Sequence, residues 1–256
     1  MTIRLLVIGI GTGNLDHLTR QAIAALNEVD LFLVADKGSA KRDLAALRIA
    51  ICRTFITHDH YRIVEVADPE RDRSASDYAV SVTDWHAARA ATYERVIRDQ
   101  LGDSGTVGFL VWGDPAFYDS TIKIAQALGD HGLASELQVI PGISSLQLLA
   151  AAHKITLNRI GSSIHVTTGR RLVEEYDPGL GDVVVMLDGN LACAGLVERW
   201  PNVEIYWGAQ LGLASETLLA GRLADVLPGI REARDRLRAQ HGWVMDTYLL
   251  RTPVRT

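Results

Sequence analysis

The 256-residue chain is 48% hydrophobic and 22% charged, with a formal net charge of −5. That balance suits a globular protein of one large or two compact domains, whose core needs neither disulfide nor metal. It argues against wholesale nucleic-acid binding, while local arginine clusters could still hold an acidic small molecule. The two cysteines, Cys52 and Cys193, sit in apolar segments and read as buried free thiols, with no metal-type spacing. The apolar run Leu5–Ile10 ends in glycines and shows no small-residue cleavage pattern. No apolar stretch approaches the ~20 residues of a membrane span. The expected location is therefore cytoplasmic, with neither membrane nor nucleic acid as a partner.

Short β-branched runs predict strands at Arg4–Ile10, Val29–Ala35, Thr106–Trp112 and Leu137–Ile140. Helical spacing links Leu18, Ala22, Ala25, Leu26 and Val29. It also links Trp85, Ala88, Thr92 and Val96, after a polar start at Ser81 to Asp84 that can cap. Alternating strands and helices predict a mostly parallel sheet covered on both faces. Between them, Thr57 to Ser76 is polar and rich in His, Asp and Arg, and reads as a long surface excursion. His58, His60 and Arg62 within it resemble metal ligands only superficially, and no metal is expected.

The later part predicts strands at Ile164–Thr168, Asp182–Leu187, Val203–Trp207, Glu216–Gly221 and Gly242–Leu250. The last three are separated mainly by turns, with one charged helix, Gly229 to Gln240. This pattern predicts a mixed sheet. The fold class is therefore α/β with two α/β domains, an N-terminal one over 1–155 and a C-terminal one over 156–256. The boundary is placed where the helical run Ser145–His153 ends.

Three loops follow predicted strands, where open α/β sheets collect ligands. The first is Gly9-Ile10-Gly11-Thr12-Gly13-Asn14, whose glycines permit a tight turn and close backbone approach. It reads G-x-G-x-G, and with Asp36 at the end of the second strand it keeps an NAD(P)-dependent oxidoreductase in view. The second is Gly113-Asp114-Pro115-Ala116-Phe117-Tyr118. Asp114 there either accepts hydrogen bonds from a ligand or caps the next helix. The third is Pro141-Gly142-Ile143-Ser144-Ser145, in which Ser145 can cap a helix and Ser144 can face a ligand. A site built from several such loops is more specific than any one of them.

In order and content these segments, with Leu18-Thr19 and Val184-Val185-Met186-Leu187, resemble the tetrapyrrole methylase family of S-adenosyl-L-methionine-dependent methyltransferases. The resemblance spans nearly the whole chain. Asn14 departs from it, since most members carry Asp there, and the departure is also the one hint of a non-catalytic binding module. Asp36-Lys37-Gly38, Asp43-Leu44, Leu47-Arg48, Ile51-Cys52 and the ending Met245–Arg251 resemble the members that methylate precorrin-5 at C-1 with loss of acetate. Another precorrin methyltransferase of the same fold is the alternative.

The resemblance implies two domains with the cofactor in the cleft between them, and a homodimer. It implies that backbone groups of Gly113, Asp114 and Phe117 hold the methionine end of S-adenosylmethionine, and that Ser144 is a helix-capping hydroxyl near the cofactor. Leu187, Ala209 and Met245 are implied near its adenine, and S-adenosylhomocysteine is the product. Gly11 and Gly13 would face the tetrapyrrole. Its carboxylates call for cations, and Lys37, Arg48, Arg170 and Arg171 are the candidates, each otherwise solvated surface. Methyl transfer to an electron-rich ring carbon demands alignment more than a base. Deacylation asks for one acid or base, with Asp16, His17, Asp36 and Tyr118 as weak candidates.

Overall fold

The computed structural model describes residues 2–36, 42–69, 78–130, 132–133 and 135–253. The chain divides into two compact units, Met1–Ser144 and Ser145–Thr256. The sequence reading leaves the helix Ser145–His153 with the first part, whereas these units count it with the second.

The first unit is built on five strands: β1 (Ile3–Gly9), β2 (Leu31–Asp36), β3 (Arg62–Ala67), β4 (Gly105–Val111) and β5 (Ser135–Ile140). They form one parallel sheet in the order β3-β2-β4-β1-β5. Its central strands are apolar over most of their length because each must satisfy two faces. Ile3, Leu5 and Val7 of β1 point into one core, shared with Tyr93 and Ile97 of α3 (Tyr78–Leu101) and Ile124 and Leu128 of α4 (Thr121–Asp130). The alternate residues Leu6 and Ile8 enter the other core. They meet Ala22 and Leu26 of α1 (Arg20–Leu26) and Ile51 and Cys52 of α2 (Arg42–Phe55).

One expectation is corrected here. The segment Thr57 to Ser76 is not all surface excursion, because Arg62–Ala67 pairs with β2 as the edge strand β3. Its exposure is what hid it: only Val66 is fully buried, so its outward residues are free to be polar. Nearby, the His58 and His60 rings stack at 4.3 Å, and His58 Nε2 meets the Asn27 carbonyl at 3.1 Å.

The second unit contains β6 (Ile164–Thr168), β7 (Asp182–Met186), β8 (Glu204–Ala209), β9 (Thr217–Arg222) and β10 (Asp246–Arg251). The order is β6-β7-β10-β8-β9, with β6 and β7 parallel and the other pairs antiparallel, the mixed sheet expected. α6 (Gly169–Glu175) and α7 (Leu223–His241) cover one face around Trp207 and Tyr248. α5 (Ser145–His153) lies by β8 and β10, where His153 Nε2 meets the Trp207 carbonyl at 2.9 Å and Thr247 donates to Ser145 Oγ at 2.9 Å. α7 starts six residues before its expected first residue, Gly229, because Pro228 lies inside the helix and reads as a stop in sequence. It ends where Gly242 turns left-handed, so the last strand opens at Asp246 and not at Gly242.

Candidate active site

The three expected loops all leave the carboxyl edge of the first sheet and are joined by main-chain contacts. Gly113 donates to the Gly11 carbonyl at 2.7 Å, and Gly11 donates back to Gly113 at 3.2 Å. Ile10 donates to the Val111 carbonyl at 2.9 Å. The third loop presses against the other two so closely that side chains are excluded. A Cβ on Gly142 would lie 2.2 Å from the Gly113 oxygen and 2.8 Å from the Gly9 carbonyl carbon. One on Gly9 would lie 2.6 Å from the Gly142 nitrogen. Gly11, Gly13 and Gly113 have φ of 69°, 117° and 67°, a region where a Cβ is strained.

Asp114 closes this assembly. One carboxylate oxygen accepts the Ala116 amide and the other accepts the Gly142 amide, both at 2.8 Å. Two charge-assisted bonds to backbone therefore tie the second loop to the third. Ser144 is 1% exposed and lies beside Gly113, and Thr12 is also buried. Tyr118 closes the loop in the left-handed region at φ 52°, a conformation a tyrosine rarely holds, with its ring 48% exposed.

The remaining first-unit candidates are more dispersed. Asn14 accepts the Asp16 amide at 2.9 Å, so an amide there does the capping a carboxylate would do. Asp16 is exposed, and His17 packs under Gly11 with Nδ1 buried and unpartnered among the described residues. Asp36 ends β2, and Lys37 lies outside the described residues. Arg48 of α2 reaches the end of β4 and donates from Nε to the Leu110 carbonyl at 3.1 Å.

The nicotinamide alternative fails on this geometry. A dinucleotide fold needs a helix opening directly on the glycine loop, so that its free amides meet the pyrophosphate. Here a 3-10 turn, Leu15–His17, intervenes, and α1 begins at Arg20 with its Ala22 amide already bonded to Thr19 Oγ1 at 3.0 Å.

In the second unit, sheet register gathers the other candidates at one end. Ala209 pairs with Asp246, next to Met245, and Tyr248 pairs with Val185, which puts Leu187 at the same end. Gln210 donates to the Met245 carbonyl at 2.9 Å. Leu187 and Gln210 are both left-handed, at φ 54° and 53°, and Leu187 is 65% exposed. Arg170 and Arg171 follow β6 at this end, where Arg171 is paired with Glu175.

Beneath these loops lies a buried polar group that the sequence reading did not find. Arg234 donates to the carbonyls of Asp188 and Gly189 and, at 2.7 Å, to the Asp246 carboxylate. Trp207 Nε1 donates to Asp246 at 2.8 Å, and the Tyr248 hydroxyl donates to Asp188. Asp188 also accepts the Ala192 amide at 2.7 Å, so Leu187 and Met245 each adjoin a residue of this network. Its members are spread from 188 to 248 and follow no local period. In the sequence Asp188 only follows one predicted strand and Asp246 lies inside another, so nothing there joins them.

Comparison with known proteins agrees with this arrangement. The profile of the Tetrapyrrole (Corrin/Porphyrin) Methylases matches residues 4–227. A precorrin-6A synthase (deacetylating) from Sinorhizobium sp is 47% identical over 249 residues, 97% of this chain and 95% of that protein. The crystal structure of a cobalamin synthesis related protein (CobF) from Corynebacterium diphtheriae superposes with a TM-score of 0.83 at 38% identity, covering 98% of this chain and 99% of that one. Uroporphyrin-III C-methyltransferase from Thermus thermophilus, solved with S-adenosyl homocysteine, shares the fold at a TM-score of 0.61 and 18% identity, covering 97% of this chain and 92% of that one. The chain therefore belongs to the tetrapyrrole (corrin/porphyrin) methylases.

Proposed function

We propose that the chain catalyses the reaction of precorrin-6A synthase, methylating precorrin-5 at C-1 with S-adenosylmethionine as donor and releasing the extruded acyl group as acetate. The observation that carries this reading is the 47% identity to a precorrin-6A synthase, extending over 97% of the chain. The residues present fit the donor. The loops at the carboxyl edge of β1, β4 and β5 are paved with glycine, and the Asp114 carboxylate ties two of them together through the Ala116 and Gly142 amides. Leu187 holds an apolar side chain out from a strand end, suited to cover an adenine face.

Bound there, the cofactor supplies a methyl group already activated on sulfur. The protein's part is alignment and exclusion of water. In the first unit, the backbone of Gly113, Asp114 and Phe117 holds the methionine end, with Ser144 beneath it. In the second, Leu187, Ala209 and Met245 meet the adenine. Gly11 and Gly13 present backbone to the tetrapyrrole, and Lys37, Arg48, Arg170 and Arg171 are its cationic contacts. The deacylation needs one water molecule, which adds its oxygen to the acyl carbon as the carbon–acyl bond breaks, and a group that moves a proton, for which Asp16, Asp36 and Tyr118 are the candidates. Among the described residues no helix is long and apolar enough to cross a membrane. We place the enzyme in the cytoplasm as a homodimer.

Calorimetric titration with S-adenosylhomocysteine tests the reading. The expected result is one site per chain with micromolar affinity, and no heat of binding at millimolar ligand would sink it. Parallel incubations with precorrin-2 and precorrin-5 then separate this enzyme from its relatives, since only precorrin-5 is expected to gain a methyl group.

A further inference from the structure

β2 and β4 are neighbours for only part of their length. Their pairing covers Leu31 with Val107 and Phe32 with Gly108, and no further. β2 nevertheless runs on to Asp36, and β4 to Val111. Beyond these pairs the two strands run on side by side without ladder bonds, which leaves a crevice in the ladder though not an exposed one. It is also where the chain changes direction: β2 continues outward through α2 to β3, while β4 continues through α4 to β5 on the other side. Such a reversal between adjacent parallel strands is where α/β sheets take ligands.

The crevice leaves main-chain groups without a ladder partner. The Val111 carbonyl faces β1, where it accepts the Ile10 amide. Carbonyls alternate in side along a strand, so that of Leu110 faces β2, which offers it no ladder bond. Arg48 fills the gap, donating Nε to Leu110 at 3.1 Å and Nη1 to the Leu44 carbonyl at 3.1 Å.

A guanidinium carries five N–H donors and a full charge, and two neutral carbonyls do not balance it. Three other well-packed arginines differ in this respect. Arg89 is paired with Asp68 at 2.8 Å, Arg234 with Asp246 at 2.7 Å, and Arg251 with Asp182 at 3.0 Å. Among the described side chains, which do not include those of Asp36 and Asp43, no carboxylate is paired with Arg48, and its Nη2 has no hydrogen-bond partner. Burial pushes its guanidinium below the usual value, and the nearby Asp119 and Tyr93 only partly oppose this. Asp119 accepts the Thr121 amide at the start of α4. Arg48 is only partly buried.

We infer that the crevice between β2 and β4 is a carboxylate subsite, in which Arg48 receives one acidic side chain of the tetrapyrrole substrate. The inference rests on the proposed tetrapyrrole substrate and specifies where on the chain one carboxylate is held. The bond from Nε to Leu110 fixes the guanidinium plane, so the fork is oriented before the ligand arrives.

The test is anaerobic titration of the full-length protein with precorrin-5, followed by quenching of tryptophan fluorescence, for wild type, R48Q and R48K. Each protein is also titrated calorimetrically with S-adenosylhomocysteine. R48Q is expected to weaken tetrapyrrole binding tenfold or more and R48K by less, with S-adenosylhomocysteine affinity within twofold of wild type in both. Wild-type tetrapyrrole affinity in both variants would overturn the subsite. So would a joint loss of both ligands with loss of cooperative melting, which would make Arg48 a brace for β4. Failure of the methyltransferase reading is distinguishable, because the wild type would then bind no S-adenosylhomocysteine whatever Arg48 does.

Discussion

At the scale of single residues, the site depends on positions where a side chain has no room. Gly142 is the sharpest case, because the atom a Cβ would meet is the backbone oxygen of Gly113 and cannot swing aside. G142A is expected to cost about 2 kcal/mol, in the range of overpacked positions, and to weaken S-adenosylhomocysteine binding at least tenfold. Gly189 is the control, since nothing lies within 4 Å of its Cβ position, and G189A should stay within about 0.5 kcal/mol of wild type. Urea unfolding and calorimetry check both, and equal effects of the two substitutions would contradict the packing argument. The glycines of the first two loops were legible in sequence as turn formers. That Gly142 packs against Gly113 and Gly9 was not, because those residues meet only after three strands align. Asp114 is similar: its sequence allows a cap or a ligand contact, and the partner 28 residues away that ties two loops appears only in the fold.

At the scale of elements, legibility followed burial. β1 and β4 announce themselves because both faces are buried and every residue but Arg4 is apolar or small. β3 does not, because an edge strand covered on one side keeps polar residues within its run. The start of α7 was hidden by Pro228, a local stop signal that the packing of Leu223 and Leu227 into the core overrides.

The network under β7 and β10 carries a testable pH dependence. Burial pushes the Asp246 carboxyl up to about 6, with the Arg234 charge opposing it less strongly. Arg234 also bonds the carbonyls of Asp188 and Gly189, so its charge is not spent on Asp246 alone. The unfolded chain releases that proton near pH 3.9, roughly the value of a free Asp. Between about pH 4 and 6 the native state holds more protons than the unfolded one, so stability falls as pH rises through that window. The contribution is on the order of 2–3 kcal/mol, present below the unfolded value and lost above about 6. Wild type should therefore lose stability relative to D246N between pH 4 and pH 7. Parallel stability profiles would show that Asp246 is ionised throughout.

At the scale of the whole molecule, both α/β units and the kinds of their sheets could be read from the order of strands and helices. The family could be read from three loops in sequence order. The crevice between β2 and β4 could not, since it depends on where two strands stop pairing and on which side a carbonyl falls. Nor could the polar floor of the second unit, whose members are distant in sequence. On the proposed function, these features serve a protein that aligns a donor, holds an acidic macrocycle and leaves most of the chemistry to the reactants. The reaction's distinguishing mark is that methyl transfer is coupled to loss of a two-carbon fragment. The most direct measurement is the ratio of acetate released to methyl transferred, with purified protein, precorrin-5 and methyl-labelled S-adenosylmethionine. One acetate for each methyl is the predicted result. Methylation of precorrin-5 without acetate, or no transfer to it at all, would contradict the account.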